Sequence, residues 1–148
     1  MDKATEIIHF NLLLIGVVFL VGGLFLIAGI RLFRSGSHKR FAFALIVFGA
    51  IAETLFGPGL IFDRIVITGH DYSVRTGFWF APKTRQFEFK DVDFITEGFW
   101  TDAKGRRNKR WDVHMKNGDI LDVPTGDLWR LNKKRIVQLL QERGVRFQ

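Results

Sequence analysis

The chain has 148 residues, contains no cysteine, and carries a formal net charge of +7 from 22 basic and 15 acidic side chains. This length excludes a large multidomain enzyme, and the lack of cysteine excludes disulfides, Cys-ligated zinc, iron–sulfur clusters and thiol nucleophiles. The charge is unevenly distributed: residues 1–62 carry only five Lys/Arg and three Asp/Glu, too few for a water-soluble surface, whereas residues 63–148 carry all the others and are long enough for one small core.

Two apolar segments in the first part are predicted to be membrane-spanning helices. Ile7–Ile30 contains 24 residues without a formal charge, and a helix of that length, about 36 Å, can cross a hydrocarbon core about 30 Å thick. It is too long for the apolar core of a signal peptide, so we expect an uncleaved anchor. Phe41–Phe62 is the second segment, in which Gly57-Pro58-Gly59 is expected to end the helix near Phe56.

The two helices are predicted to form an antiparallel hairpin around a polar loop, residues 31–40. Small residues recur seven positions apart on both helices, a spacing that allows close backbone approach in a left-handed pair. These pairs are Gly16 and Gly23, Gly22 and Gly29, and Ala42 and Gly49. The same pattern fits packing against helices outside the chain, and also the general abundance of glycine in membrane helices.

Glu53 is an acidic residue inside a predicted span. Antiparallel pairing places it near Val18, with Asn11 deeper toward the far end and no basic partner in the chain at that depth. Because an intramembrane carboxylate is costly, three explanations stay open. Glu53 is protonated, or it meets a partner subunit, or the helix ends early and the side chain reaches the interface. A proton or ion pathway is a further alternative.

After Phe62 the hydrophobic pattern changes to a period of two, which predicts a β-domain. The predicted strands are Arg64–Thr68, Tyr72–Phe80, Gln86–Ile95 with a bulge or turn at residues 90–91, and a hairpin of residues 110–116 and 119–123. Residues 81–84 are expected to interrupt the sheet, and residues 99–101 to extend it toward a polar tip, residues 102–110.

The register of the predicted hairpin follows from its alternation. A two-residue Asn117-Gly118 loop would mix polar and apolar residues on each face. A three-residue loop of residues 116–118, with Gly118 left-handed, instead pairs Val113 with Leu121 and Trp111 with Val123 on one buried face. The second register is therefore predicted.

This register places Asp112, His114 and Asp122 together on the opposite face. An Asp–His–Asp group could be a metal site or an acid–base cluster, and a simply solvated face is the alternative. No nucleophile, glycine-rich phosphate loop or metal-ligand helix motif accompanies it, so the sequence does not indicate an enzyme.

The chain is predicted to close with a helix over residues 131–143. Asn132 is the candidate N-cap, Ile136, Leu139 and Leu140 form the buried stripe, and Gly144 suits the position after the helix. Arg130, Lys133 and Lys134 share one face near the helix start, where the macrodipole disfavours cations. A phosphate group or acidic partner would relieve this repulsion, and a solvated helix start is the alternative.

The densest basic run lies between Trp100 and Trp111, and we call it the basic tip. It consists of Lys104, Arg106, Arg107, Lys109 and Arg110. Basic side chains among aromatic ones can bind nucleic acid or anionic lipid. With a membrane anchor in the same chain, lipid headgroups or an acidic subunit are favoured over nucleic acid, and a flexible solvated loop is the alternative.

Strands followed by a single C-terminal helix resemble the bacterial PH-domain membrane proteins, which place a small pleckstrin-homology (PH)-like domain after a transmembrane hairpin. The matching segments are Ile65–Trp79, Phe87–Ile95, Lys116–Asp119 and the closing helix. The resemblance implies a PH-like antiparallel sheet or barrel closed by that helix, in residues 63–148. This chain differs in lacking basic residues directly after the second span, and in having about six predicted strands where the family has seven. A PH-like fold by itself implies no ligand or activity.

Together these features predict a non-catalytic, multi-pass protein of a bacterial inner membrane, with domains 1–62 and 63–148 and no cofactor. Its role would be that of a scaffold or accessory subunit, in a homo-oligomer or larger membrane complex. The alternative is recognition of anionic lipid or another acidic ligand by the basic tip and Arg130–Arg135. The third is an enzyme or proton-linked transporter that uses Glu53 or the Asp112 cluster. Four basic residues in the loop favour a cytoplasmic loop and an outside C-terminal domain.

Overall fold

The computed structural model describes residues 4–36, 38–101 and 104–148, with the backbone alone for Pro124. The chain divides into two compact units. The first, which we call the helical unit, comprises His9–Asp63 and Thr76–Pro82. The second, the β-unit, comprises the chain up to Ile8 together with Arg64–Arg75 and Lys83–Gln148. Both units are discontinuous in sequence, whereas the sequence predicted a single boundary between residues 62 and 63.

The helical unit contains two segments that are long and apolar enough to cross a membrane. Helix α1 spans Leu12–Arg34; α2 (Lys39–Ile51) continues through a π-helical segment (Ala52–Phe56) into α3 (Gly57–Phe62). The two continuous stretches have 23 and 24 residues, and the most apolar 18-residue window of each has a mean hydropathy of 2.8 and 1.9. Helix α1 begins five residues later than predicted, because Asn11 caps its start: the side-chain oxygen accepts a hydrogen bond from the Leu13 N–H at 2.9 Å.

The prediction that the second helix ends near Phe56 is wrong. The Gly57 N–H bonds to the carbonyl of Ala52, five residues back, and this wider turn closes the π-helical segment. Pro58 then lies in the first turn of α3. Proline is tolerated there because the first N–H groups of a helical segment need no partner within it.

The first sheet has the strand order β1-β2-β3-β4. Its strands are β1 (Glu6–His9), β2 (Arg64–Ile67), β3 (Asp71–Phe78) and β4 (Ala81–Glu88). Strand β1 was not predicted, because residues 7–10 were assigned to the start of the first membrane-spanning helix. Residues 81–84 belong to β4 and do not interrupt the sheet as predicted, so the hairpin turns at residues 79–80. Pro82 is compatible with β4 because this strand lies at the end of the sheet order, where a ladder N–H can be missing.

The second sheet has the order β7-β6-β5-β8. It contains β5 (Val92–Thr101), β6 (Arg107–Met115), β7 (Ile120–Pro124) and β8 (Arg146–Phe147), and a 3₁₀ turn at Phe89–Asp91 precedes β5 where a bulge or turn was predicted. The predicted hairpin register is confirmed: Trp111 pairs with Val123 and Val113 with Leu121. Gly118 has a φ of +92°, in the left-handed region as predicted.

Helix α4 (Asp127–Glu142) begins four residues before its predicted start. Gly126 is the N-cap, and the Asn132 amide instead donates to the Leu128 carbonyl at 2.9 Å. The helix ends at Glu142, one residue before its predicted end, and Gly144 lies in the predicted position after the cap with a φ of +88°. The Val145 N–H bonds to the Leu140 carbonyl at 3.1 Å. This arrangement is a Schellman motif.

The core of the β-unit is centred on Trp111, which is fully buried. Its ring meets Trp129 of α4 edge-on at 5.2 Å and Phe147 of β8 at 5.5 Å. Ile136 and Leu140 of the predicted helix stripe are also fully buried. The molecule is thus two long apolar helices with an α+β unit. The sheets are not closed into a barrel, and β8 runs parallel to β5, so the second sheet is mixed and not purely antiparallel.

Candidate functional site

The two long helices approach most closely at small residues. A Cβ placed on Gly29 would lie 2.9 Å from the Ala42 carbonyl oxygen and 2.7 Å from Ile46 Cγ1. A Cβ on Gly49 would lie 2.7 Å from the Gly22 carbonyl oxygen. These distances are shorter than real Cβ contacts, so any larger residue would force the helices apart.

Two of the glycines with the same spacing lie elsewhere. Gly16 has no atom within 4 Å of the position that a Cβ would occupy. The nearest atom to such a position on Gly23 is Glu53 Oε1, at 3.8 Å. On α1 the contact between the helices is therefore formed at Gly22 and Gly29. Gly16 lies on the exposed surface.

Glu53 lies in the π-helical segment, and its carboxylate occupies the space that Gly22 leaves by having no side chain. Oε1 lies 2.7 Å from the Cβ position of Gly22, about one helical turn from the Val18 level predicted. Within the described part of the chain, no hydrogen bond or ion pair is found for this half-buried side chain. The helix continues past Glu53 to Phe62, so the explanation in which it ends early is wrong. Asn11 is engaged as the N-cap of α1.

Away from this contact the helices expose large apolar side chains. They include Leu13, Val17, Leu20, Leu24, Ile27, Phe41, Phe43 and Phe48. Only 11% of the most apolar window of each helix is buried inside the structure. A helix that is apolar on its outer surface needs a lipid or protein environment to cover it.

The tip of the β3–β4 hairpin, residues 76–82, belongs to the helical unit. It carries three exposed aromatic residues, Phe78, Trp79 and Phe80. The rings of Phe78 and Phe80 stack at 5.3 Å, and Trp79 meets Phe80 edge-on at 5.5 Å. The Trp79 indole N–H donates to the carbonyl of Thr54 at 2.8 Å.

Most of the basic tip is engaged within the β-unit. Arg107 lies over the Phe99 ring at 4.6 Å, Lys109 is 3.5 Å from Glu97, and Arg110 forms an ion pair of 2.7 Å with Asp112. Lys104 and Arg106 are exposed and also have interactions of their own. Of the two flanking tryptophans, Trp100 is exposed and Trp111 lies in the core.

The cations at the start of α4 are partly neutralised within the chain. Arg130 forms an ion pair of 2.7 Å with Asp127, in the first turn of the helix. Lys133 pairs with Glu97 and lies 5.4 Å from the Trp129 ring. Lys134 is exposed. Because the helix begins earlier than predicted, an acidic residue in its first turn relieves the expected repulsion.

Glu97 joins the two basic groups, since it faces Lys133 of α4 and Lys109 of β6. The hydrogen bond from Lys133 holds the pKa of the Glu97 carboxyl below its usual range. Partial burial raises this pKa, and the positive charges of Lys133 and Lys109 lower it. Glu97 thereby supplies an internal counter-charge where an external anion and a solvated helix start were the two alternatives left open.

Asp112, His114 and Asp122 do not form a metal-binding group. Asp112 pairs with Asp122 across the β6–β7 ladder but its carboxylate binds Arg110. His114 Nε2 lies 3.2 Å from the Thr96 hydroxyl, and its ring stacks on Phe94 at 4.2 Å. Among the residues placed by the structure, no group of three His, Asp or Glu side chains could hold a metal.

Two contacts in these regions could not be predicted from local sequence patterns. The Trp79–Thr54 bond joins residues 25 positions apart, and Arg135 binds Glu6 of β1 at 2.8 Å across 129 positions. The sequence signal for the first contact was the stretch from Thr76 to Pro82, which has no charged residue and is bounded by Arg75 and Lys83.

The chain matches no protein-family model and no curated protein.

Proposed function

We propose that this protein is a non-catalytic integral membrane protein that acts as a scaffold or accessory subunit, in a homo-oligomer or in a larger membrane complex. The observation that carries the proposal is Glu53: a half-buried carboxyl inside an apolar helix, set against Gly22, for which the described chain provides no hydrogen bond or ion pair.

A carboxyl group at this depth requires a hydrogen-bonding or charged partner, because hydrocarbon offers none. The surrounding helix surfaces are apolar and exposed. A helix of a second copy, or of another subunit, would cover these surfaces and supply the missing partner to Glu53. π-Helical segments such as Ala52–Phe56 are frequent at functional sites, which supports the same location.

We further propose that the β-unit is PH-like and provides a protein-interaction surface. Six strands, β2–β7, in two sheets and then a single helix, α4, follow the strands-then-helix order of that family, with one strand fewer than its seven. Strand β4 lies at the end of its sheet, and its side chains are exposed except at Phe87. Such an edge can pair with a strand of a partner.

Native mass spectrometry of the full chain, extracted gently from its membrane, tests the subunit role. We expect a defined homo-oligomer or a constant partner. Glu53→Leu should lose this assembly with helix content unchanged, because leucine cannot satisfy the partner. Gly16→Ala, on the exposed face of α1, is the matched control and should retain it. A monomeric wild-type protein, in every mild detergent tried, would contradict the proposal.

Recognition of an anionic ligand by the basic tip is a second candidate. The observation that favours it is the pair of exposed aromatic residues, Phe99 and Trp100, beside Arg107. The internal ion pairs of Lys109 and Arg110 weaken it. Combined charge reversal of Arg106, Arg107 and Lys109 in full-length protein should reduce co-purified anionic lipid if the tip binds it, and should leave assembly intact.

We place the protein in a bacterial inner membrane with the β-unit outside, following the basic loop between the helices. The pairing of β1 with β2 supports both ends of the helical hairpin lying on one side, since these strands precede and follow it. The chain has no cysteine, so the labelling of a single introduced thiol shows on which side of the membrane that residue lies. Lys134→Cys should react with a membrane-impermeant maleimide on intact cells, and Ser35→Cys only after permeabilisation. The reverse result would place the β-unit in the cytoplasm.

A further inference from the structure

We infer that the tip of the β3–β4 hairpin, Thr76–Pro82, inserts into the bilayer beside the second long helix and forms a membrane-contacting element besides the two long helices. This inference rests on the proposed membrane location. It assigns to the hairpin tip an interaction surface whose partner is the acyl-chain region of the bilayer.

The composition of the tip fits this environment. It has no charged residue over seven positions, although Arg75 and Lys83 flank it directly. Phe78, Trp79 and Phe80 are 53%, 47% and 59% exposed. A contiguous aromatic cluster of this kind is unfavourable in water, and aromatic residues are enriched at the membrane interface. Cations beside an interfacial or inserted segment are common, because a long Lys or Arg stem lets the charge extend toward the headgroups.

A polar contact ties the tip to the second long helix. Pro58 lacks the N–H that would bond to the carbonyl of Thr54 four residues before it, so this carbonyl has no partner at the usual position. The Trp79 indole N–H donates to it at 2.8 Å. The backbone of the tip also approaches the helix, since the Gly77 carbonyl oxygen lies 3.9 Å from the Cβ position of Gly59. The indole thereby satisfies a carbonyl that hydrocarbon would leave unpaired.

The level of this contact along the helix places the tip within reach of lipid. Thr54 precedes the helix end at Phe62 by eight residues, which corresponds to about 12 Å. On α1, Phe19 packs against Gly57 near this level. Leu12 and Leu13 lie a further turn or two toward the start of α1, and they are 83% and 73% exposed. A bilayer that covers these two leucines also covers the level of Trp79.

Fluorescence quenching of the full chain in lipid nanodiscs tests the inference. Trp111 and Trp129 are buried in the β-unit, so Trp79 and Trp100 are the exposed indoles. The probes are phospholipids with a spin label on the acyl chain about 12 Å below the headgroup, and acrylamide in the aqueous phase. We expect strong quenching by the acyl-chain label, retained in Trp100→Phe and reduced at least twofold in Trp79→Phe.

The inference is overturned if acrylamide, and not the lipid label, quenches the emission that Trp79→Phe removes. It is also overturned if neither probe reaches that emission, because a protein partner would then cover the tip. Resistance to alkaline carbonate extraction is measured on the cell membranes from which the same chain is purified. Extraction by carbonate would defeat the proposed membrane location itself, whereas resistance to carbonate with an acrylamide-accessible Trp79 would defeat the inserted tip alone.

Discussion

Single residues decide how closely the two long helices can approach. At Gly49 a methyl group would meet the Gly22 carbonyl and Leu26 at 2.7 Å each, and backbone atoms cannot move aside as a flexible side chain could. We expect Gly49→Ala to destabilise the helix pair by about 1–3 kcal/mol, the usual range for overpacking. Thermal unfolding in detergent micelles, followed by circular dichroism, measures the change.

The matched control for this substitution is Gly16→Ala, on the same kind of apolar helix but with open space around the Cβ position. It should be neutral or slightly stabilising, since alanine has the higher helix propensity. Equal destabilisation by the two substitutions would mean that the close contact at Gly49 does not form.

Tyr72 offers a second test at the scale of one residue, because it is the only tyrosine in the chain. Burial raises the pKa of its phenol well above the ordinary value of about 10. The folded state therefore holds the proton more tightly than the unfolded state. This contribution to stability is complete below pH of about 10 and is lost as the pH rises further.

The absorbance of tyrosinate follows this titration directly. In denaturant we expect half-ionisation near the ordinary value of about 10. In the folded protein the signal should appear only at higher pH, together with the loss of tertiary structure. A folded protein that ionises Tyr72 at the same pH as the denatured chain would contradict the burial of this ring beneath Phe87 and Trp111.

At the scale of elements, the β6–β7 hairpin depends on the backbone conformation of Gly118. Its φ of +92° is one that residues with a Cβ rarely adopt. We expect Gly118→Ala to destabilise the β-unit by about 1–2 kcal/mol, although no atom lies within 4 Å of the new methyl group. Chemical denaturation measures the loss. Asn117→Ala, in the same turn, serves to separate this backbone effect from the loss of a side-chain hydrogen bond.

The same hairpin explains which elements could be predicted from sequence. Alternation around residues 116–118 excludes one register, because a slip by one residue would bury the aspartates. In a hairpin of this kind the strand and its pairing partner are adjacent in sequence, so the pattern alone predicts the pairing. Strand β1 was missed because its apolar residues merge with those of the following helix, and only the distant strand β2 identifies it as a strand.

Long-range contacts also limited prediction of the candidate site. Glycine spacing indicates a helix contact but cannot select between faces, and the structure uses Gly22, Gly29 and Gly49 without Gly16. Gly57-Pro58-Gly59 predicts a helix end near Phe56, and the π-helical segment through which the helix continues has no local signal. Clusters of cations looked like binding sites because Glu97, the counter-charge of Lys133, lies 36 positions away.

At the scale of the whole molecule, the N-terminal strand links the first residues of the chain to the β-unit. Ile8 is buried in that unit, Glu6 binds Arg135 of α4 at 2.8 Å, and Arg143 donates to the Ala4 carbonyl at 3.0 Å. A fragment of residues 63–148 therefore lacks an edge strand and part of its core. We expect it to aggregate or to unfold at lower temperature, because strand β2 is left as an uncovered edge.

Restoring the strand should reverse this loss. In a fusion of residues 4–10 to residue 63 through a short glycine-serine linker, β1 can return to β2 without the two long helices. We expect the fusion to be monodisperse by size-exclusion chromatography and to melt at least several degrees above the bare fragment, since a stabilisation of 1 kcal/mol shifts a domain of this size by about 4–8 °C. An Ile8→Asp version of the fusion is the matched control, and it should behave like the bare fragment. If all three proteins have the same melting temperature, β1 contributes nothing to the stability of the β-unit. The boundary between the β-unit and the helical unit would then lie at residue 63.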